Sequence, residues 1–129
     1  MTGSFPPPHS GEPVTDLSPG GRFLALGGAD GTIQVMTAIN QDLVFVAAGH
    51  TGPVSALAWS LDGQWLASGG DDHMVHVWNA TNGDALGSFA GHSEPISFLA
   101  WSPDSTRLAS SSGQQVRQWG IEEAFRQAL

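Results

Sequence analysis

The chain repeats itself at a fixed interval, and that constrains its fold more than any other feature. Gly49-His50 recurs at Gly91-His92, and Trp59-Ser60 recurs at Trp101-Ser102, both 42 residues on. Leu24-Ala25, Leu66-Ala67 and Leu108-Ala109 keep the same spacing, as do Asp30 and Asp72. The last segment loses one residue, so Trp78 maps to Trp119. Such a period marks stacked supersecondary units, each burying its apolar faces only against a neighbour.

Within a unit the pattern is that of short strands. In the stretch from Gly49 to Phe89, Val54, Ala56 and Ala58 alternate with Ser55, Leu57 and Trp59, which reads as a strand buried on both faces. Ser60-Leu61-Asp62-Gly63 is a turn, Gln64 to Gly69 a second strand, and Gly69-Gly70-Asp71-Asp72 a tight turn. Val75 to Trp78 form a third strand, and Ala85 to Phe89 a fourth after Thr81-Asn82-Gly83-Asp84. The third unit predicts strands over 95–101, 106–111 and 115–119. The first predicts strands over 21–28, 32–36 and 42–47. Its own first strand is only weakly defined, since Pro13 to Pro19 is two residues shorter than Pro95 to Pro103.

Four short antiparallel strands in about 40 residues is the build of a propeller blade. The expected fold is therefore all-β: a partial β-propeller of three four-stranded antiparallel blades, over about 14–48, 49–90 and 91–119. Residues 1–13 are rich in Pro, Gly and Ser and are expected to form a flexible leader. In the tail, residues 120–129, Ile121, Phe125 and Ala128 or Leu129 share one helical face. A short helix is expected there, the alternative being a fourth strand for the last blade.

Composition narrows the partners. The formal charge is −8, from four basic against twelve acidic residues. Arg22, Arg107, Arg117 and Arg126 are scattered, and there is no Lys, so nucleic acid and anionic membrane are poor partners. No apolar run is long enough to span a bilayer. The N-terminal stretch lacks the basic start and apolar segment of a secretory signal, so a cytoplasmic location is expected. With no Cys, disulfides and thiolate metal sites are excluded.

With the Gly-His pairs, the internal Ser, the turn Asp and the closing Trp in place, the chain resembles the WD-repeat (WD40) β-propeller family over about residues 17 to 119. The resemblance implies that a His, a Ser or Thr, an Asp and a Trp in each blade form a hydrogen-bonded chain. The second unit supplies all four, as His50, Ser68, Asp72 and Trp78, and closes on Trp78-Asn79 rather than Trp-Asp. The third supplies His92, Ser110 and Trp119, with Gly113 near the turn and no Asp, so its network is expected to be broken. The first keeps Asp30 but has Met36 where Trp would stand, and His9 lies at the wrong spacing.

The same residues admit other chemistries. Ser68, His50 and Asp72 suggest a hydrolase triad, but their order and spacing match the structural network. Asp71, Asp72, His73 and His76 suggest a metal site. His76, on a strand whose faces alternate, is expected to point away from it. No metal or cofactor is expected. The runs at Gly27 and Gly69 are turns, not phosphate loops, because no Lys and no helix follow them. The five Trp recur with the repeat and read as core.

What the resemblance implies about function is a non-catalytic protein–protein interaction scaffold. Its partner face would gather Pro53, Ser55 and Asp71 from the second unit and Pro95 and Ser97 from the third. Their small, neutral or acidic character favours a basic protein or peptide. Propellers have about 4–8 blades, so three imply a fragment, or an assembling part, of a larger propeller. A purely architectural homo-oligomer is the alternative, and a ligand-binding or enzymatic propeller a third.

Overall fold

A computed structural model of the chain describes residues 13–121. The first sheet runs in chain order through β1 (Val14–Leu17), β2 (Phe23–Gly27), β3 (Thr32–Thr37) and β4 (Leu43–Ala48). The second does the same with β5 (Val54–Trp59), β6 (Trp65–Gly70), β7 (Val75–Asn79) and β8 (Ala85–Phe89). The third contains β9 (Phe98–Trp101), β10 (Arg107–Ser112) and β11 (Gln115–Gly120). All pairs are antiparallel.

The weakly defined first strand forms. β1 pairs with β2 from Val14↔Gly27 to Leu17↔Leu24, and the turn that joins them contains a short 3-10 segment at Pro19–Gly21. Among the described residues the third sheet has three strands, not four. The expected tail helix, like its strand alternative, falls mostly on residues 122–129, and the leader on 1–12, outside the described residues. Gly120 closes β11 and Ile121 is fully buried, so the start of the tail belongs to the last blade.

Two apolar layers hold the three sheets together. Ala25, Ile33, Val35, Phe45, Val54, Trp59, Leu66 and Trp78 belong to the layer between the first and second sheets. Ala56, Ala67, Val75, Val77, Ile96, Leu99, Leu108 and Ile121 belong to the layer between the second and third. Period-two alternation explains how β7 serves both: Val75 and Val77 face one way, Trp78 the other. Close approach needs glycine at the same place in both interfaces. A Cβ on Gly27 would lie 2.5 Å from Val54, and one on Gly69 would run into Ile96.

Polar contacts repeat across the two interfaces. The Trp59 indole donates to the Asp16 carbonyl at 3.0 Å, and the Trp101 indole to the Ala58 carbonyl at 2.9 Å. The Val54 amide donates to the Gly28 carbonyl, and the Ile96 amide to that of Gly70. Each turn between a blade's first two strands is closed by a serine hydroxyl that accepts a backbone N–H: Ser18 from Phe23, Ser60 from Trp65 and Ser102 from Arg107.

Candidate functional site

The middle blade brings His50, Ser68, Asp72 and Trp78 into one chain of hydrogen bonds. His50, in the turn before β5, sets Nε2 at 2.8 Å from the Ser68 hydroxyl, and Trp78 Nε1 donates to that hydroxyl at 2.8 Å. His50 Nδ1 lies 3.0 Å from Asp72 Oδ1. With Nδ1–H donating to the carboxylate, Nε2 is left to accept the Ser68 proton, so every donor has an acceptor. Asp72 also accepts the amides of Thr51 and Met74. Burial raises its carboxyl pKa, but the Thr51 amide, His50 and the Met74 amide outweigh that, leaving it below the ordinary value of 3.8. Thr51 contributes only its backbone amide, so no residue-type pattern marks it in the sequence.

The third blade departs from expectation. His92 Nε2 meets the Ser110 hydroxyl at 2.7 Å, and Trp119 Nε1 donates to that hydroxyl at 2.9 Å. His92 Nδ1 is not orphaned: the Ser112 hydroxyl, at 2.6 Å, stands in for the carboxylate. Ser112 ends β10 two residues after Ser110, on the same face, and so reaches the other side of the ring. The network is neutral where the middle blade's is charged, and it is not broken. In the first blade Leu26 and Met36 occupy the places of Ser68 and Trp78, removing hydroxyl and indole together and leaving neither orphaned. Asp30 there accepts the amide and hydroxyl of Thr32 instead, and the hydroxyl is the larger cause of its lowered pKa.

The Ser68–His50–Asp72 arrangement has the order of a hydrolytic triad, but not its access. Ser68 is fully buried and its hydroxyl already receives the Trp78 indole, so no substrate carbonyl can approach it. The expectation for His76 is overturned. Residues 68 and 76 pair directly across β6 and β7, which puts His76 on the face of Ser68. Its ring lies 4.5 Å from that of His50, edge to face. Burial first, then the nearby His50, lower its pKa below 6.5 against the opposing pull of Asp72.

The five residues expected at the partner face lie along one edge of the second and third sheets. Pro53 accepts the Asp71 amide through its carbonyl. The Ser55 hydroxyl donates to the carbonyl of Ile96, and that of Ser97 to the carbonyl of Ser111. These two serines thus spend their hydroxyls on the sheets, while Pro95 and Ser97 are exposed. Sequence reasoning missed Asp30 and Glu94 at this edge. Gly31, beside Asp30, sits against the carbonyls of His50 and Gly52, and the Glu94 carboxylate lies over Gly113.

Three segments, residues 2–35, 41–79 and 83–120, match the family model described as WD domain, G-beta repeat. The chain belongs to the WD-repeat family. The second and third matches each start before the outer strand of one sheet and end with the third strand of the next, so repeat and blade are offset by one strand. No curated protein sequence matches this WD-repeat chain. Among solved structures, one chain in the crystal structure of a mitotic checkpoint complex is similar to it, with a TM-score of 0.73 and 30% identity. The similarity covers 80% of this chain and 34% of that one, so the WD-repeat chain spans about a third of that relative.

Proposed function

We propose that this WD-repeat chain is a non-catalytic protein-interaction scaffold whose blades belong to a larger propeller, and that its edge at Pro53, Ser55, Asp71, Pro95 and Ser97 takes a basic peptide. The observation that carries this reading is the charge of that edge. Asp30, Asp71 and Glu94 stand there in successive blades, in turns before a first strand or between second and third strands. Arg117, packed against Gly91, is a cation close by, whereas Arg22 lies just before β2 and Arg107 is the first residue of β10. The similar chain was solved within a mitotic checkpoint complex, a setting that supports an interaction role. The test is fluorescence anisotropy with labelled peptides of matched length. An Arg/Lys-rich peptide should bind and an Asp/Glu-rich one should not; equal affinities would sink the reading.

The outer face of the first blade favours a second, architectural reading. The register places Leu17, Leu24, Met36 and Leu43 side by side, opposite the face that packs on the second blade. Leu17 and Leu43 are more than half exposed. Another blade, from a longer chain or a second copy, would cover them. Light scattering on a sizing column distinguishes the cases: a closed homo-oligomer supports self-assembly, and a monomer or aggregate of no fixed size contradicts it.

A further inference from the structure

His76 has no part in the network that ties its blade together. Corresponding positions carry Gln34 in the first blade and Arg117 in the third. The third blade joins His92, Ser110 and Trp119 without a second imidazole. Yet in the middle blade a nitrogen or oxygen of His50, of Asp72 and of His76 all lie within 4.8 Å of one another. His76 Nε2 is buried and makes no hydrogen bond among the described residues. A buried imidazole nitrogen without a partner carries an uncompensated desolvation cost, and a bound cation would remove it.

We propose that His50, Asp72 and His76 bind a divalent transition-metal ion, with Zn2+ the best match to the donor set. Two borderline imidazoles and one hard carboxylate form a mixed donor set that zinc accepts, and three protein ligands leave a fourth tetrahedral position for water. Bonds of about 2.0–2.1 Å set tetrahedral ligand atoms roughly 3.3 Å apart. His50 Nδ1 and Asp72 Oδ1 are already 3.0 Å apart, so most of the contraction falls to the half-buried His76 ring. The far nitrogen of His50 is held by Ser68, and Asp72 by the Thr51 and Met74 amides, so both ligands are oriented in advance.

The protons balance without release to solvent. In the hydrogen-bonded chain the Nδ1 proton of His50 faces the Asp72 carboxylate. When metal takes Nδ1, the imidazole proton resides on Nε2 and donates to Ser68, which then accepts from both His50 and Trp78. The Ser68 proton loses its acceptor in that exchange, which lowers affinity relative to an unencumbered site. The first and third blades serve as internal controls. The first has Asp30 with Gln34 and no network histidine, and the third has His92 with Ser112 and Arg117.

The test is titration of the metal-stripped full chain with Co2+, followed by visible d–d absorption, and then displacement by Zn2+ followed calorimetrically. The wild type should bind about one ion per chain. His76→Gln, which installs the residue of the first blade, should weaken binding by more than about tenfold while far-UV CD and thermal melting stay those of a folded chain. His73→Gln, in the adjoining turn, should bind like the wild type. The proposal is overturned if the wild type binds no tighter than about 1 mM, if His76→Gln binds equally well, or if His73→Gln abolishes binding.

Discussion

Asp16 and Trp59 are joined twice across the first two blades. The Asp16 carboxylate accepts the Trp59 amide at 2.9 Å, and the Asp16 carbonyl accepts the Trp59 indole at 3.0 Å. Only the first bond depends on the side chain, so substitution separates the two. Asp16→Ala should destabilise the chain by about 1–3 kcal/mol, because the Trp59 amide loses its acceptor at a part-buried site. Asp16→Asn, which keeps an acceptor oxygen, should lose less. Urea unfolding with an unchanged m-value is the readout.

Asp72→Ala should likewise cost about 1–3 kcal/mol, since the Thr51 and Met74 amides and His50 Nδ1 all lose an acceptor at once. Ser112→Ala deprives His92 Nδ1 alone, and should cost less. Equal losses for the two variants would show that the carboxylate contributes no more than a hydroxyl.

Much of this was legible in the residues, and the gaps have physical causes. The repeat fixed the fold class and brought His50, Ser68, Asp72 and Trp78 together, because equal spacing means equivalent places in successive blades. Strand pairing is what escaped it. That His76 shares a face with Ser68 follows from the β6–β7 register, which depends on the length and geometry of the turn at 71–74. Ser112 escapes a pattern that requires a carboxylate, because the chemical requirement is only an acceptor or donor for Nδ1. Asp16 was hidden for a similar reason: its partner lies in the next blade, and no local pattern signals a contact across the stack.

Stability should fall on mild acidification. Burial is the first cause lowering the pKa of both His76 and His92 below 6.5, with the neighbouring His50 and Arg117 adding to it respectively. A depressed folded pKa means that the unfolded chain takes up the proton first. The contribution is therefore complete above 6.5 and declines as pH falls from there through the folded values. The Asp72 contribution is complete above 3.8 and is lost as pH falls through its lower folded pKa. Melting temperatures at about pH 7.5 and about pH 5.5 should differ, and His76→Gln should shrink the difference. An identical difference in the variant would exclude His76 as a contributor.

Close blade contact at Gly69 should make even a methyl group costly. Gly69→Ala drives a Cβ into Ile96 and is expected to destabilise by about 1–3 kcal/mol through overpacking. The equivalent residue of the third blade is Ser111, which is half-buried and already carries a side chain, with the Ser97 hydroxyl 3.5 Å from its own. Ser111→Ala should change the urea midpoint little. A neutral Gly69→Ala would mean that the two sheets can slide apart at that point.

The most direct test of the acidic edge is the salt dependence of its affinity for an Arg/Lys-rich peptide, measured for the wild type and for the triple variant Asp30→Asn/Asp71→Asn/Glu94→Gln. Exposed charge pairs contribute roughly 0.2–1 kcal/mol each, so the variant should bind about tenfold more weakly at low salt. Its affinity should also respond less steeply to added salt. Wild type and variant binding alike, with the same salt response, would contradict a basic partner at this edge.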